Sequence, residues 1–370
     1  MLLNLVRMKY RDSIEFIRIP SITGQHTYSG NVGLSFPFTA ARGSGSTSLS
    51  TQSRPTIVYQ PEQAQEFNQR LLTPIDIATL DLLSSKGWAI NRVLRLTVRT
   101  LNDLDNATSA GGPTPNSKPD FEAFQVMADR MRALQRDRLV ELSYEAVAAD
   151  AKRVSEPIDS GRVDAAALIE AAQNGYRFQR NDDGTMTLWT VPGSSNELVV
   201  RIAPMAGDVP ELQDVIQLLE LEPGQEYYPV VADSFGQLKR PASWRSASDQ
   251  EQPERRQELI VSTRSLKEMM FYLSHGITAP QSHVSAGLIT QTYDQEGLEF
   301  DWRDMTGDML QVEVSKLPPF KAAVSVFYRG YWFYIKDDDL NSKATFNLLI
   351  ELFNLEIRAG GGSQIPLLSI

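Results

Sequence analysis

Apolar residues fall at helical spacing from the first turn of the chain. Leu2, Leu3, Val6 and Tyr10 share one face and predict a short opening helix. Ile14, Phe16, Ile17 and Ile19 then predict extended chain interrupted at Pro20, with looser alternation over 25–28 and 32–38. A short strand is expected over 56–59, closed by Pro61. Pro61 and Pro74 each open a helix, since a first-turn proline gives up only an amide that lacks a helical partner anyway. Residues 91–104 fit both periods and are read as strand first, helix or turn later. Phe121, Phe124, Met127, Met131 and Leu134 line one face of a helix over 120–138, and 140–144 alternates as a strand. An alanine-rich helix is expected over 163–172. Asn181-Asp182-Asp183-Gly184 between alternating runs predicts a hairpin, with 198–202 extending the same antiparallel set. A helix over 209–221 and a strand over 227–231 follow, and 235–253 reads as a polar surface excursion.

The last third has the densest pattern. Ser265-Leu266-Lys267-Glu268 is a capping box, in which the serine and glutamate side chains satisfy orphan backbone donors reciprocally. The helix it opens carries Met269, Met270, Tyr272 and Leu273 and ends at Gly276. Strands are expected over 259–261, 310–314, 323–327 and 331–335, then a long helix over 342–357 and a closing strand over 367–370. Asp337, Asp338 and Asp339 precede the long helix, where acidic groups complement its positive end. Helices and strands come irregularly, without the strict alternation of a doubly wound sheet. The fold class read from this is α+β, with antiparallel or mixed sheets packed against helices in two lobes. The break is placed at Gly111-Gly112-Pro113, giving an N-terminal lobe over 1–110 and a C-terminal lobe over 111–370.

Composition narrows the function. The formal charge of −10 argues against nucleic acid, whose binders present a basic face to displace counterions. The chain has no cysteine, so disulfides, thiolate metal sites and cysteine nucleophiles are excluded. No apolar run approaches the roughly 18 residues of a membrane span. The first ten residues are too short in apolar stretch to be a signal peptide and read as entry into a domain already under way; natural sequence carrying an export signal is expected ahead of Met1. The Gly/Ser stretch over 41–50 reads as a mobile hairpin tip.

Candidate chemistry is sparse. His26, His275 and His283 are the only histidines, and the last two lack an obvious third zinc ligand. His275 is expected as an imidazolium at a helix C-terminus. Asp337, Asp338, Asp339 and Asn341 lack calcium-loop spacing and are read as helix caps. Asp294, Glu296, Glu299, Asp301 and Asp304 are read as solvated loop acids, with paired carboxylates of a glycan hydrolase as the alternative. Nucleophile-elbow, phosphate-loop and zinc-protease motifs are missing from the sequence. No catalytic residue, metal or cofactor is therefore assigned. Tyr331, Trp332, Phe333 and Tyr334, with Arg329 before them, are the candidate interface residues. Consecutive strand residues point to opposite faces, so two rings are expected in the core and two beneath a helix or at a subunit boundary. A glycan- or lipid-binding pocket lined by Trp302, Trp332 and Tyr334 is a further alternative.

Three stretches carry a family likeness: Asn4-Leu5-Val6-Arg7-Met8-Lys9-Tyr10-Arg11-Asp12, then Arg264-Ser265-Leu266 with Met270-Phe271-Tyr272-Leu273-Ser274, then Tyr328-Arg329-Gly330 through Phe346. Together they resemble a family of uncharacterised Gram-negative bacterial proteins, exported or lipid-anchored by prediction. The resemblance implies a periplasmic or outer-membrane-associated protein with a lipid anchor upstream of residue 1, and it brings no catalytic residues. Cytoplasmic residence is the alternative. The expected function is a non-enzymatic structural or assembly component of the envelope, partnered by itself or by other envelope proteins.

Overall fold

Helices and strands alternate irregularly along the chain. A computed structural model describes residues 1–31, 48–61, 65–149, 153–190, 193–233, 256–358 and 367–369. Its helices are α1 (Leu2–Lys9), α2 (Gln65–Leu72), α3 (Ile77–Ser85), α4 (Ile90–Thr97), α5 (Glu122–Arg136), α6 (Ala165–Gln173), α7 (Pro210–Leu218), α8 (Leu266–Ser274), α9 (Gln281–Ser285), α10 (Arg303–Thr306) and α11 (Leu340–Arg358). Its strands are β1 (Phe16–Asn31), β2 (Ser48–Pro61), β3 (Val98–Leu101), β4 (Leu104–Asp105), β5 (Val140–Ala149), β6 (Tyr176–Arg180), β7 (Met186–Thr190), β8 (Gly193–Ile202), β9 (Tyr227–Ala232), β10 (Leu259–Thr263), β11 (Glu313–Ser315), β12 (Ala322–Tyr328), β13 (Tyr331–Lys336) and β14 (Leu367–Ser369). The fold is α+β with mixed and antiparallel sheets, as the irregular order of elements implies.

The elements form two compact units that interleave in sequence. Unit 1 comprises Met1–Pro74, Ser109–Pro119 and Arg264–Ile370; unit 2 comprises Ile75–Thr108 and Asp120–Thr263. A single cut near residue 111 does not separate them. The Gly/Pro loop belongs inside unit 1, where hydrogen bonds hold it: His275 Nε2 donates to Ala110 O (3.0 Å), Thr292 Oγ1 to Pro115 O (2.6 Å) and Lys118 N to Tyr293 O (2.9 Å).

In unit 1, β14, β1 and β2 make one antiparallel sheet, whose register slips between Arg18 and Ser21. Pro20 lies in that slip, where its missing amide does least harm to the ladder. Phe16 stacks on Phe353 of α11 (ring centroids 5.0 Å) and meets Phe67 of α2 edge-on (5.2 Å). Helix α8 starts on the predicted capping box, Ser265 N donating to Glu268 Oε2 (2.7 Å) and Glu268 N to Ser265 Oγ (3.3 Å). Helix α11 is capped by Asp339, which accepts from the Ser342 amide (3.0 Å) and hydroxyl (2.6 Å), while Asp337 takes Lys343 Nζ (2.9 Å).

Unit 2 holds a six-stranded mixed sheet in the order β4-β3-β10-β9-β8-β5, in which β9 and β10 run parallel and the other neighbours antiparallel. Residues 91–104 reverse the expected order. Helix comes first because Ile90, Val93 and Leu96 bury one helical face, and β3 follows only where Val98 meets β10. The hairpin at 181–184 forms as expected between β6 and β7, but β8 does not extend it. β8 pairs with β5 and β9, leaving β6–β7 as a separate ribbon. Strands β3, β5 and β8–β10 and helices α3, α4, α5 and α7 enclose an apolar cavity of about 50 Å³, reached by Leu80, Val93, Met131, Val215, Tyr228 and Val261 among others. That is well below the roughly 300 Å³ of the smallest ordinary ligand pockets. It is a packing void, with a cost near 1 kcal/mol at about 24 cal/mol per Å³. The polar excursion at 235–253 and the alternating run at 32–38 lie outside the described residues.

Candidate functional site

The aromatic run of unit 1 forms the middle of a three-stranded antiparallel sheet, in the order β11-β13-β12. β12 and β13 are joined by the two residues Arg329 (φ 47°) and Gly330 (φ 85°). Positive φ at both central positions is the type I′ hairpin turn, whose twist matches the strands it joins. Arginine is strained in this region, and its side chain is well held. The guanidinium is bidentate on Asp12 (Nη2 to Oδ2 2.9 Å, to Oδ1 3.1 Å) and lies 5.2 Å from the centre of the Tyr10 ring. Tyr328 OH donates to the same carboxylate (2.6 Å), and Tyr10 OH pairs with His283 Nδ1 (2.7 Å). Tyr331 closes the clasp, with its hydroxyl 2.9 Å from Ser282 Oγ and its ring edge-on to His283. Burial alone would raise the Asp12 carboxyl, but bonds from Tyr328 and Arg329 outweigh it and hold the group below the usual carboxylate range. Burial pushes the Tyr10 phenol up to about 12, with the Arg329 charge opposing that rise. Arg329 therefore anchors the hairpin to the chain after α1.

Strand alternation divides the rings. Phe333 and Ile335 are fully buried, and Phe333 meets Tyr10 edge-on (6.2 Å). Tyr331 shares their face and is half-buried. Trp332 and Tyr334 lie on the opposite face. Trp332 is cross-strand from Phe327 (rings 5.4 Å apart) and Ser315, and Tyr334 is cross-strand from Ser325 and Glu313. Lys336 pairs with Glu313 on the same side (3.0 Å). This outer face carries apolar surface into water. Phe327 is 56% exposed, and in the β11–β12 connection Leu317 is 74% and Phe320 97% exposed. Leu317, Phe320 and the Asp12 anchor were not legible as site residues. The only local signal was two apolar residues flanking Pro318-Pro319, between Lys316 and Lys321.

The open strand edge matters as much as the face. β12 is bonded to β13 on one side, and among the described residues no strand pairs with its other side. The two-residue turn makes Tyr328 and Tyr331 a hydrogen-bonded pair, so Val326 and Val324 also bond inward to β13. The backbone groups of Ser325 and Phe327 consequently point outward. Natural edges are usually guarded by charge, proline or a bulge. Here a bulge lies only at the start of β12, between Ala322 and Val324, and 324–328 carries neither proline nor charge.

Other candidates have local structural roles. His275 closes α8 as expected but is not an imidazolium. It is completely buried, and desolvation together with the Lys9 charge lowers it to about 3. Its Nε2 hydrogen goes to Ala110 O, its Nδ1 faces Thr114 Oγ1 (3.5 Å), and its ring stacks on Trp302 (4.1 Å). Trp302 is thus part of the core, its indole N–H on Thr292 Oγ1 (3.2 Å), and is not on the face of Trp332 and Tyr334. Asp294 accepts the amides of Glu296 and Leu298 in a turn, and Asp301 is held by the Arg303 side chain (2.7 Å), which with the Arg303 amide keeps it below its ordinary value. Among the described residues, no three His, Asp or Glu side chains gather where they could share a metal ion. No described helix is long and apolar enough to cross a membrane. His26 pairs by its backbone with Ser53, and most of the Gly/Ser stretch, residues 41–47, lies outside the described residues. No protein-family model, curated protein or solved structure matches the chain.

Proposed function

We propose that this chain is a non-catalytic assembly protein that associates with protein partners, its own copies first, through the β11–β13–β12 sheet of unit 1. One observation carries the reading. Phe327 on β12 and Leu317 and Phe320 in the connection before it are exposed large apolar residues, and Trp332 and Tyr334 on the neighbouring strand are only partly buried. Contiguous exposed apolar surface with a polar rim marks contact sites, and aromatic rings give most of the energy there. The hairpin is firmly supported from below by the Asp12–Arg329–Tyr328 clasp, so little order need be gained on docking. The bacterial envelope is the setting we propose, on the strength of the three sequence stretches that carry the family likeness.

Light scattering after size exclusion tests this. Wild-type protein is expected to exceed the 41.3 kDa of one chain at micromolar concentration. Full burial of each phenylalanine contributes roughly 2 kcal/mol. A Phe320→Ser, Phe327→Ser double variant is therefore expected to weaken association at least about a hundredfold with its circular dichroism unchanged. A wild type that stays at one chain mass across the concentration range would remove the reading.

A further inference from the structure

The unpaired edge of β12 and the placement of its outward backbone groups define how two copies would meet. We infer that the chain forms a two-fold dimer in which β12 pairs antiparallel with β12 of a second copy, centred on Val326, joining the two three-stranded sheets into one. This rests on the assembly reading above and specifies its geometry.

Four observations fix the register. The bulge at 322–324 and the turn at Arg329-Gly330 bracket a straight window over 324–328, whose midpoint is Val326. The outward backbone groups belong to Ser325 and Phe327, which lie equally far on either side of Val326. A two-fold there sets Ser325 of each copy opposite Phe327 of the other, so the exposed ring covers a small side chain and not a second ring. The window is uncharged, and Lys321 and Arg329 both fall outside it. A centre on Ser325 would instead set Lys321 against Arg329, a like-charge pairing that opposes association. A second copy is favoured over an unrelated strand because the same patch satisfies itself, as a two-fold interface requires.

The cysteine-free chain makes the test clean. In this register the two Val326 residues form a pair without mutual hydrogen bonds, with Cα atoms about 4.5 Å apart, inside the range a disulfide spans. Val326→Cys is expected to give a covalent dimer under mild oxidation, while Ser315→Cys on β11 does not. Ser325→Pro removes an amide that only the added strand would use, so it is expected to leave a folded monomer. If wild type is dimeric and loses association in the Phe320→Ser, Phe327→Ser variant, but Val326→Cys fails to cross-link and Ser325→Pro remains dimeric, association runs through the face of the sheet and not through the β12 edge. That result overturns the register and leaves the assembly reading in place. A wild type that is monomeric at every concentration overturns both.

Discussion

Gly276→Ala is expected to be the most damaging single-methyl change in unit 1. Gly276 follows His275, which closes α8; it is buried and donates its amide to Leu273 O (3.1 Å). Its carbonyl accepts from Val312 N (3.1 Å), and Thr278 N donates to Val312 O (2.9 Å), so the chain after α8 runs beside 310–312 at backbone distance. A methyl at 276 would fall on the carbonyl oxygen of Leu310 and within 3.0 Å of Thr306 Oγ1. Neither neighbour is the free end of a flexible side chain. Leu310 is fully buried, and Thr306 Oγ1 is bonded to Trp302 O (2.9 Å). Relief therefore requires the two segments to part. Overpacking of a tight interior costs about 1–3 kcal/mol and more where backbone must move, so a loss of at least about 3 kcal/mol is expected. Urea unfolding followed by the far-ultraviolet circular dichroism of wild type and variant would measure it. A loss below about 1 kcal/mol would show that the packing there is looser than described.

Lys9→Met is expected to stabilise the protein at neutral pH and to remove a pH dependence. The Lys9 side chain is almost wholly buried, and its ammonium reaches His275 O at 3.4 Å. Desolvation lowers its pKa from 10.5 to about 8. The folded chain thus holds this proton less tightly than the unfolded chain. Between about pH 8 and 10.5 the unfolded state binds more protons, so wild-type stability rises with pH across that window and the penalty is complete below it. The shift corresponds to about 3 kcal/mol, partly offset in the variant by the weak bond lost at His275 O. Lys9→Met should gain about 2 kcal/mol at pH 7, and its advantage should vanish by about pH 10.5. Denaturant midpoints of both proteins at several pH values would show converging curves. Parallel curves would mean that Lys9 is solvated. His275 works in the acid range with the same sign. Its pKa falls from 6.5 to about 3, so its contribution is present above pH 6.5 and is lost as pH falls through about 3.

Local chemistry was legible and distant partnership was not. The capping box at Ser265 and Glu268, the Asp-Gly turn between β6 and β7, and the cap before α11 depend on residues within one or two turns of each other, and each formed as read. Strand alternation also divides the aromatic run, with Tyr331 and Phe333 on one face and Trp332 and Tyr334 on the other, but only Phe333 is buried where two core rings were expected. Residues 91–104 misled because Leu94 and Val98 satisfy both periods. Only the position of β10, more than a hundred and fifty residues away, decides where helix gives way to strand. Asp12 was invisible for the same reason. Its partners Tyr328 and Arg329 lie at the other end of the chain, and nothing near it marks a carboxylate that anchors a turn. The interleaving of the units is likewise a long-range fact. The Gly/Pro loop has the composition of a boundary, yet its backbone is bound to the segments around His275 and Tyr293. Exposure of Phe320 could not be read either, since composition does not tell a core phenylalanine from one left in water.

Residue-resolved amide hydrogen exchange across a range of protein concentrations tests the outward edge of β12 most directly. Val324 and Val326 donate to β13 and should be protected at every concentration, whereas the amides of Ser325 and Phe327 face outward. Protection at Ser325 and Phe327 is expected to rise as copies associate, with Thr187 in β7 of unit 2 unchanged. Exchange at those two amides that stays fast from the lowest to the highest concentration would contradict a contact surface on this sheet edge.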